Sequence, residues 1–529
     1  MLFTSVEFLM FAAALLVLYY VVPRKCQWPL LLAASYIFYG LADVKYLIYI
    51  AVVTLTSYLT ALRMGEMSHK ENAYVESMRG SMSKEERKAY RTAEKKKRRR
   101  VLILGLVAGF GILAVIKYTA FAVVNINSVL HLFGSSGLTV PRLLLPMGIS
   151  FYTFQAMGYL IDVYRGKTEA ERNPAKYALF VAYFPQLIQG PISRFGDLAG
   201  QLTAPHAPDA EGICRGLIRV LWGYFKKLVV ADRMLVAVKT LTDKPEEHRG
   251  VYALLLILFY SVEIYADFTG GIDITIGLSE ALGIRLAENF RHPFFSKSTK
   301  EYWRRWHITM GTWFSDYIFY PLSVSAPMQK LSKWGRAHLG TGLGKRLPVY
   351  LATLVTWFLT GLWHGAGWNF IVWGLLNAVI ILVSQELSPL YERFHAAAPR
   401  LCASGGYGVF MMARTFLLMG TVRVLDCYRD VPLTFRMVGS IFTTPNWSAL
   451  FDGSVASLGL GAADYILVAL CCGLMVAVSA YGEKKDLRRE LAAHPAAFCA
   501  VAATLVFVIV IFGAWGVGYD ANQFIYNQF

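Results

Sequence analysis

The stretch Leu351-Ala-Thr-Leu-Val-Thr-Trp-Phe-Leu-Thr-Gly-Leu-Trp-His364-Gly-Ala-Gly-Trp-Asn-Phe-Ile-Val-Trp-Gly-Leu-Leu-Asn-Ala-Val-Ile-Ile-Leu-Val383 holds two apolar runs joined by a glycine-rich break, and the break carries a histidine. The first run, Leu351–Leu362, passes into the second, Asn369–Val383. Segments of this kind are built to lie in hydrocarbon, where a bilayer span takes roughly 20 residues. An imidazole there is costly, so an ionisable group within a span marks a functional site by default.

The whole chain has that character. Of 529 residues, 56% are hydrophobic and only 16% are charged, against about a quarter charged in soluble proteins. Further long apolar runs are Phe8–Val22, Tyr46–Leu62, Val101–Val124, Ala463–Ala480 and Ala497–Val517. This predicts an all-α polytopic membrane protein, since a β-barrel would show short alternating segments instead. Phe8–Val22 lacks a basic n-region and a small-residue cleavage site, and reads as a retained helix rather than a signal peptide.

The net charge of +17 raises nucleic-acid binding only until its distribution is seen. Much of it lies in Lys84–Arg100, which ends Lys95-Lys96-Lys97-Arg98-Arg99-Arg100. Positive charge flanking spans marks the cytoplasmic side and attracts anionic lipid, so the expected partner is the bilayer and not nucleic acid. Propagating from this connector places Pro23-Arg24-Lys25 in the cytoplasm and the N-terminus outside. A second basic connector, Glu483–Arg489, leaves the residues after the final span outside. The seven cysteines are scattered among apolar runs, with neither disulfide nor metal spacing.

The middle is less regular. Tyr183–Phe195 is apolar but broken by Pro185, Gly190 and Pro191, and proline removes a backbone donor. Irregular backbone at membrane depth survives only when buried in protein or lining a wet cavity, which predicts a re-entrant or interfacial segment. Phe268–Asp273 and Asn289–Lys300 read as similar interruptions. The absence of an internal repeat counts against a transporter built from paired halves.

Two histidines stand out. His364 is expected near mid-membrane, where Gly361, Gly365 and Gly367 allow close approach of backbone or substrate, and a neutral imidazole beside such a gap can take a proton from an attacking hydroxyl. The plainer reading is a histidine bonded between helices, with Trp363 and Trp368 in an interfacial aromatic belt. His307 closes Tyr302-Trp303-Arg304-Arg305-Trp306-His307, in a region too polar for a lipid-facing helix. Arg304 and Arg305 suit an anionic ligand, because guanidinium grips carboxylate or phosphate bidentately; the plainer reading is headgroup anchoring. Asp267, Asp273 and Asp316 would be needed to complete a metal site with the histidines, and the spacing matches no ligand pattern.

Several of these segments together resemble the membrane-bound O-acyltransferases. Tyr302–Trp313 and Thr360–Asn369 resemble that family's two histidine signatures. Phe184–Arg194, which contains Gln189, and Leu145–Arg165 are similar to its bacterial branch, the alginate O-acetyltransferase-like proteins. Departures lie at Ser323-Val324-Ser325-Ala326, where members often carry Gly-Gly-Asn-Arg, and near Phe268-Thr269-Gly270-Gly271. The resemblance implies a ring of spanning and re-entrant helices around a thin centre with opposed funnels. It implies His364 as the principal catalytic residue, His307 as the second, and Trp303, Arg304, Arg305, Trp363, Asn369 and Gln189 as pocket or donor-binding candidates.

The implied organisation is N-terminal spans over 1–62, a basic cytoplasmic connector over 63–100, a catalytic core over 101–383, C-terminal spans over 384–518 and an extracytoplasmic tail over 519–529. No cofactor and no metal are implied; acetyl-CoA is the implied donor, an extracytoplasmic polysaccharide the acceptor, and a secreted or membrane-anchored SGNH-type transferase the partner, all in the bacterial inner membrane. The ending Phe524-Ile525-Tyr526-Asn527-Gln528-Phe529 resembles that of bacterial members and marks Tyr526 as an acyl-carrier candidate, against the plainer interfacial anchor. D-alanyl transfer to teichoic acid, a glycan transporter or flippase, and an inactive platform for a secreted enzyme are the competing readings.

Overall fold

A computed structural model describes residues 3–514; Tyr526 and the tail over 519–529 lie outside the described residues. Helices dominate throughout, and eight of those described are long and apolar enough to cross a membrane. The chain divides into two compact units, one of residues 1–213 with 278–287, the other of 214–277 with 288–529. This division cuts across the expected 101–383 segment.

The first unit contains α1 (Val6–Val21), α2 (Gln27–Gly40), α3 (Tyr46–Ser77), α4 (Lys84–Leu132), α5 (Ile149–Arg165), α6 (Pro174–Ala182), α7 (Phe184–Leu187) and α8 (Phe195–Thr203). The basic connector is not a loop. It is the continuation of α3 and the first turns of α4, 32 and 49 residues long, both well beyond the roughly 20 that a bilayer needs. Ser83 starts α4 with a reciprocal capping box to Glu86, which satisfies two otherwise orphan N–H groups. The two helices meet side by side through the Tyr74–Tyr90 ring pair, 4.7 Å between centroids, and through Arg98–Glu71 at 2.8 Å.

Residues 182–193 are buried throughout. After the single turn of α7 the chain is irregular until α8, as Pro185, Gly190 and Pro191 foreshadow. Ser193 donates to the Gln186 side chain at 2.9 Å, so the irregular backbone is held by protein.

The second unit takes in most of α9 (Ala210–Tyr224), a π-helical segment over Phe225–Ala231, α10 (Asp232–Asp243) and the greater part of α11 (Val251–Ala281). It continues through α12 (Thr299–Arg305), α13 (Ile308–Phe314), a second π-helical segment over Ser315–Phe319, α14 (Tyr320–Ser323), α15 (Ala326–His338), α16 (Gly340–His364) and α17 (Trp368–Glu386). It ends with α18 (Ser388–Ala397), α19 (Pro399–Cys402), α20 (Gly405–Tyr428), α21 (Val431–Thr443), α22 (Ala462–Gly482), α23 (Leu487–Ala492) and α24 (Pro495–Phe512).

One expectation fails here. Phe268–Asp273 does not interrupt a helix, because α11 runs through it unbroken. Gly270 serves packing instead: a Cβ there would lie 2.9 Å from the Gly223 carbonyl oxygen, and one at Gly223 would lie 2.6 Å from that of Gly270. Small residues let helix backbones approach closely where lipid offers no hydrophobic drive. Asn289–Lys300 is irregular, as read.

Candidate active site

His364 is the last residue of α16, and α17 returns after three residues. The glycines of this turn make room for α17 rather than for open space. A Cβ at Gly361 would meet the Phe370 carbonyl oxygen at 2.4 Å, and one at Gly365 would enter the Phe370 ring at 2.1 Å. From the other arm, a Cβ at Gly374 would lie 2.3 Å from the Trp357 carbonyl oxygen. The arms of the hairpin are thus in near backbone contact, and the His364 ring is directed along α17. It packs edge-on to Trp373 at 4.6 Å between centroids and stays partly exposed.

His307 occupies the corner between α12 and α13, outside the spanning helices. Its backbone is left-handed, φ 48° and ψ 53°, a conformation in which histidine is found more often than most residues but still at a cost. Such strain persists only where the surroundings over-determine it. The surroundings are identifiable. The stretch before α12 pairs antiparallel with the end of α12 through Phe290 and Trp306. The Ile308 N–H donates to the Asn289 carbonyl at 3.0 Å, and the Asn289 side-chain oxygen accepts from the Thr309 N–H at 3.0 Å and its hydroxyl at 2.9 Å.

The His307 ring is 1% exposed and lies edge-on to Phe268 at 4.9 Å. Burial pushes its imidazole down to about 3, with the Arg423 charge adding in the same direction and a backbone hydrogen bond opposing. The ring is therefore neutral near neutral pH, because desolvation disfavours the charged form.

Trp363 brings the two histidines to one place. Its indole is 4% exposed, with His307 at 5.7 Å and His364 at 4.9 Å between ring centroids. Trp303 extends the same wall, packing on Trp357 at 4.8 Å and Trp373 at 5.7 Å. The histidines that the sequence singles out thus share one aromatic enclosure within one unit.

The remaining candidates distribute as follows. Asn369 is buried and donates to the Leu425 carbonyl at 3.3 Å, fastening the start of α17 to α20. Arg304 is exposed. Arg305 is engaged by Glu301 at 3.0 Å and Glu483 at 2.5 Å, so its guanidinium is spent on protein carboxylates. Gln189 is fully buried in the first unit.

Two of the three aspartates weighed for a metal are committed elsewhere. Asp267 pairs with Lys227 at 2.6 Å, and Asp273 with Arg219 at 2.8 Å and Lys226 at 2.6 Å. Among the described residues no three His, Cys, Asp or Glu side chains converge to hold a metal ion.

Sequence reading missed Asn289 and Arg423. Asn289 lies eighteen residues before the second motif histidine's corner and is visible only once the chain folds back. Arg423, 6% exposed, sits inside an apolar span, and that placement alone is a signal.

A partly exposed imidazole at a helix end and a buried, neutral imidazole, both packed against Trp363, provide a proton acceptor and a hydrogen-bonding group in one aromatic enclosure. That is equipment for moving a proton off a hydroxyl as it attacks a carbonyl.

Comparison with known proteins agrees with this chemistry. Residues 171–422 match the model of the MBOAT, membrane-bound O-acyltransferase family. The chain is similar to "Probable alginate O-acetylase AlgI" of Azotobacter vinelandii, 32% identical over 499 residues, covering 94% of this chain and 88% of that protein. It is similar to "Peptidoglycan O-acetyltransferase" of Helicobacter pylori, 30% identical over 399 residues, 70% of this chain and 67% of that one. Likeness to "Teichoic acid D-alanyltransferase" of Bacillus subtilis is narrower, 27% over 242 residues, 44% of this chain and 58% of that one. These likenesses displace the transporter and inactive-platform readings, and the chain belongs to the membrane-bound O-acyltransferase family, as a multi-pass O-acyltransferase.

Proposed function

We propose that the protein takes an acetyl group from a thioester donor, acetyl-CoA, on the cytoplasmic side of a bacterial inner membrane and delivers it for O-acetylation of an extracytoplasmic polysaccharide. The observation that carries this reading is the shared contact of His307 and His364 with Trp363. The breadth of likeness to proteins named for alginate and peptidoglycan O-acetylation supports acetyl over D-alanyl transfer.

In this reading His364 accepts the proton of the attacking hydroxyl while its oxygen bonds to the thioester carbonyl carbon. The negative end of the α16 dipole favours the positive charge that arrives on the ring. Neutral His307 donates an N–H to the developing oxyanion, a contribution of about 3–4 kcal/mol for a well-placed donor. The carbon–sulfur bond then breaks, and His364 returns its proton to the leaving thiolate. The acyl group passes to an ester oxygen and the donor leaves as a free thiol.

The first acceptor is either the polymer or Tyr526, whose phenol would carry the acetyl group to a secreted or membrane-anchored SGNH-type transferase. Replacing His364 with alanine tests the core of the proposal: acetylated polymer should vanish while expression and membrane insertion persist, and unchanged acetylation sinks the mechanism. Tyr526→Phe keeps the apolar ring and removes the hydroxyl. Wild-type transfer in that variant removes the relay but leaves the histidine chemistry standing.

A further inference from the structure

We infer that Arg423 of α20 is the positioning residue that sets the angle of His307. A guanidinium inside a spanning helix is expensive, and this one is fixed by two specific contacts. Its Nη2 donates to the Tyr302 hydroxyl at 2.8 Å, in a buried bond. Its carbon centre lies 4.0 Å from the centroid of the Trp306 ring. Tyr302 and Trp306 are themselves stacked, 11° between planes, and the Trp306 N–H closes the last turn of α12 on the Tyr302 carbonyl at 2.8 Å.

Arg423 therefore grips both residues that frame the end of α12, and His307 is the next residue in the chain. Glu263 of α11 and Asp426 of α20 stand within its electrostatic reach. The corner at His307 needs such a grip. Its left-handed backbone must be held from both sides, and Asn289 holds only the α13 side. The α12 side is held by the backbone pairing of Phe290 with Trp306 and, at the side chains, by Arg423.

A planar fork can stack on an indole and donate in its own plane at once; an ammonium has no plane with which to do both, so lysine is not an equivalent. Arg423 also lies just past the residues matched by the family model, so that match does not cover its position.

The inference rests on the proposed role of His307, and the test separates the two. In full-length protein in native membranes, with acetyl-CoA as donor, kcat and KM are measured for H307A, R423A, R423K, Y302F and Y302F/R423A. A displaced catalytic group costs about 100-fold in rate, so R423A should lose about 100-fold in kcat with KM for acetyl-CoA unchanged. R423K should recover little of this. Y302F should fall in the same direction, and the double variant should be no slower than R423A alone, because both act through one corner.

Inactive H307A beside R423A at the wild-type rate overturns this inference alone, as do full rescue by lysine, a loss confined to KM, or additive single effects. Fully active H307A overturns the role of His307 and this inference with it. Should R423A fail to accumulate, R423K and Y302F decide by the same criteria.

Discussion

His364 lies 4.6 Å from Trp373, centroid to centroid, across the hairpin of α16 and α17. The His364 ring is carried by α16 and packs against α17. Trp373 is 4% exposed and joins Val422 and Leu425 of α20, with Trp303 and Trp357 packed against them. The orientation of His364 is thus referred to three helices rather than one.

Removing Trp373 should therefore uncouple His364 from that frame. Trp373→Ala is expected to lower kcat by about 100-fold, the scale set by an ångström of misplacement, with less effect on KM. Trp373→Phe keeps a ring edge toward the imidazole and should retain most of the rate. Steady-state acyl transfer in membranes checks this; equal kcat for both variants and wild type would show that His364 is oriented by its own helix.

The hairpin itself depends on Gly374, whose missing Cβ accommodates the Trp357 carbonyl and the Gly361 backbone. Gly374→Val should destabilise the detergent-solubilised protein by about 1–3 kcal/mol, as overpacking does. Gly473 of α22 is the contrast, with nothing within 4 Å of an added Cβ. Gly473→Ala should leave stability unchanged or raise it by about 0.5–1 kcal/mol, because alanine loses less backbone entropy in a helix. The thermal-shift midpoint should fall for Gly374→Val and hold or rise for Gly473→Ala, and a fall for both would refute the packing account.

These two glycines show where sequence stops being informative. Apolar run length is enough to read the spans, because 15–20 consecutive apolar residues have few other uses in a chain. It reads α16 and α17 correctly and finds His364 at their junction. It does not say whether a glycine breaks a helix or lets one pass, since both leave the same residue in the sequence; Gly270 and Gly271 were read as a break and lie within a continuous α11, where Gly270 is a packing position. Charge in Lys84–Arg100 locates a membrane flank but not its conformation, because a basic helix and a basic loop share composition. Arg305 pointed to an anionic ligand by residue type, while its partner Glu483 is too distant in sequence for any local pattern to supply. Long-range partners decide what a charged group is for, and those appear only after folding.

Burial keeps His307 neutral down to about pH 3, well below the ordinary histidine range near 6.5. Two consequences follow from the sign of that shift. Its contribution to stability is complete above pH 6.5 and is lost progressively as pH falls toward 3, because the unfolded chain binds the proton first. A fall in acyl-transfer rate between pH 7 and 5 must then belong to a group other than His307. Residual activity in His307→Asn, a substitution that tolerates the left-handed backbone, should keep the same acid limb as wild type. Disappearance of that limb in the variant would assign the titration to His307.

Asn289 holds the other side of the His307 corner, and its effect divides into separable parts. Its side-chain oxygen takes two donors from Thr309, while its backbone carbonyl takes the Ile308 N–H. Asn289→Ala removes the acceptor and leaves a buried N–H and a buried hydroxyl without it, at about 1–3 kcal/mol. Thr309→Val removes only the hydroxyl and leaves the N–H bond to Asn289 intact, so its cost should be smaller, about 1 kcal/mol. If the corner is what places the imidazole, kcat should follow the same order, lowest for Asn289→Ala and intermediate for Thr309→Val, with donor KM constant. Equal stability loss in both with undiminished kcat would mean that Asn289 supports the fold of the corner without bearing on the chemistry of His307.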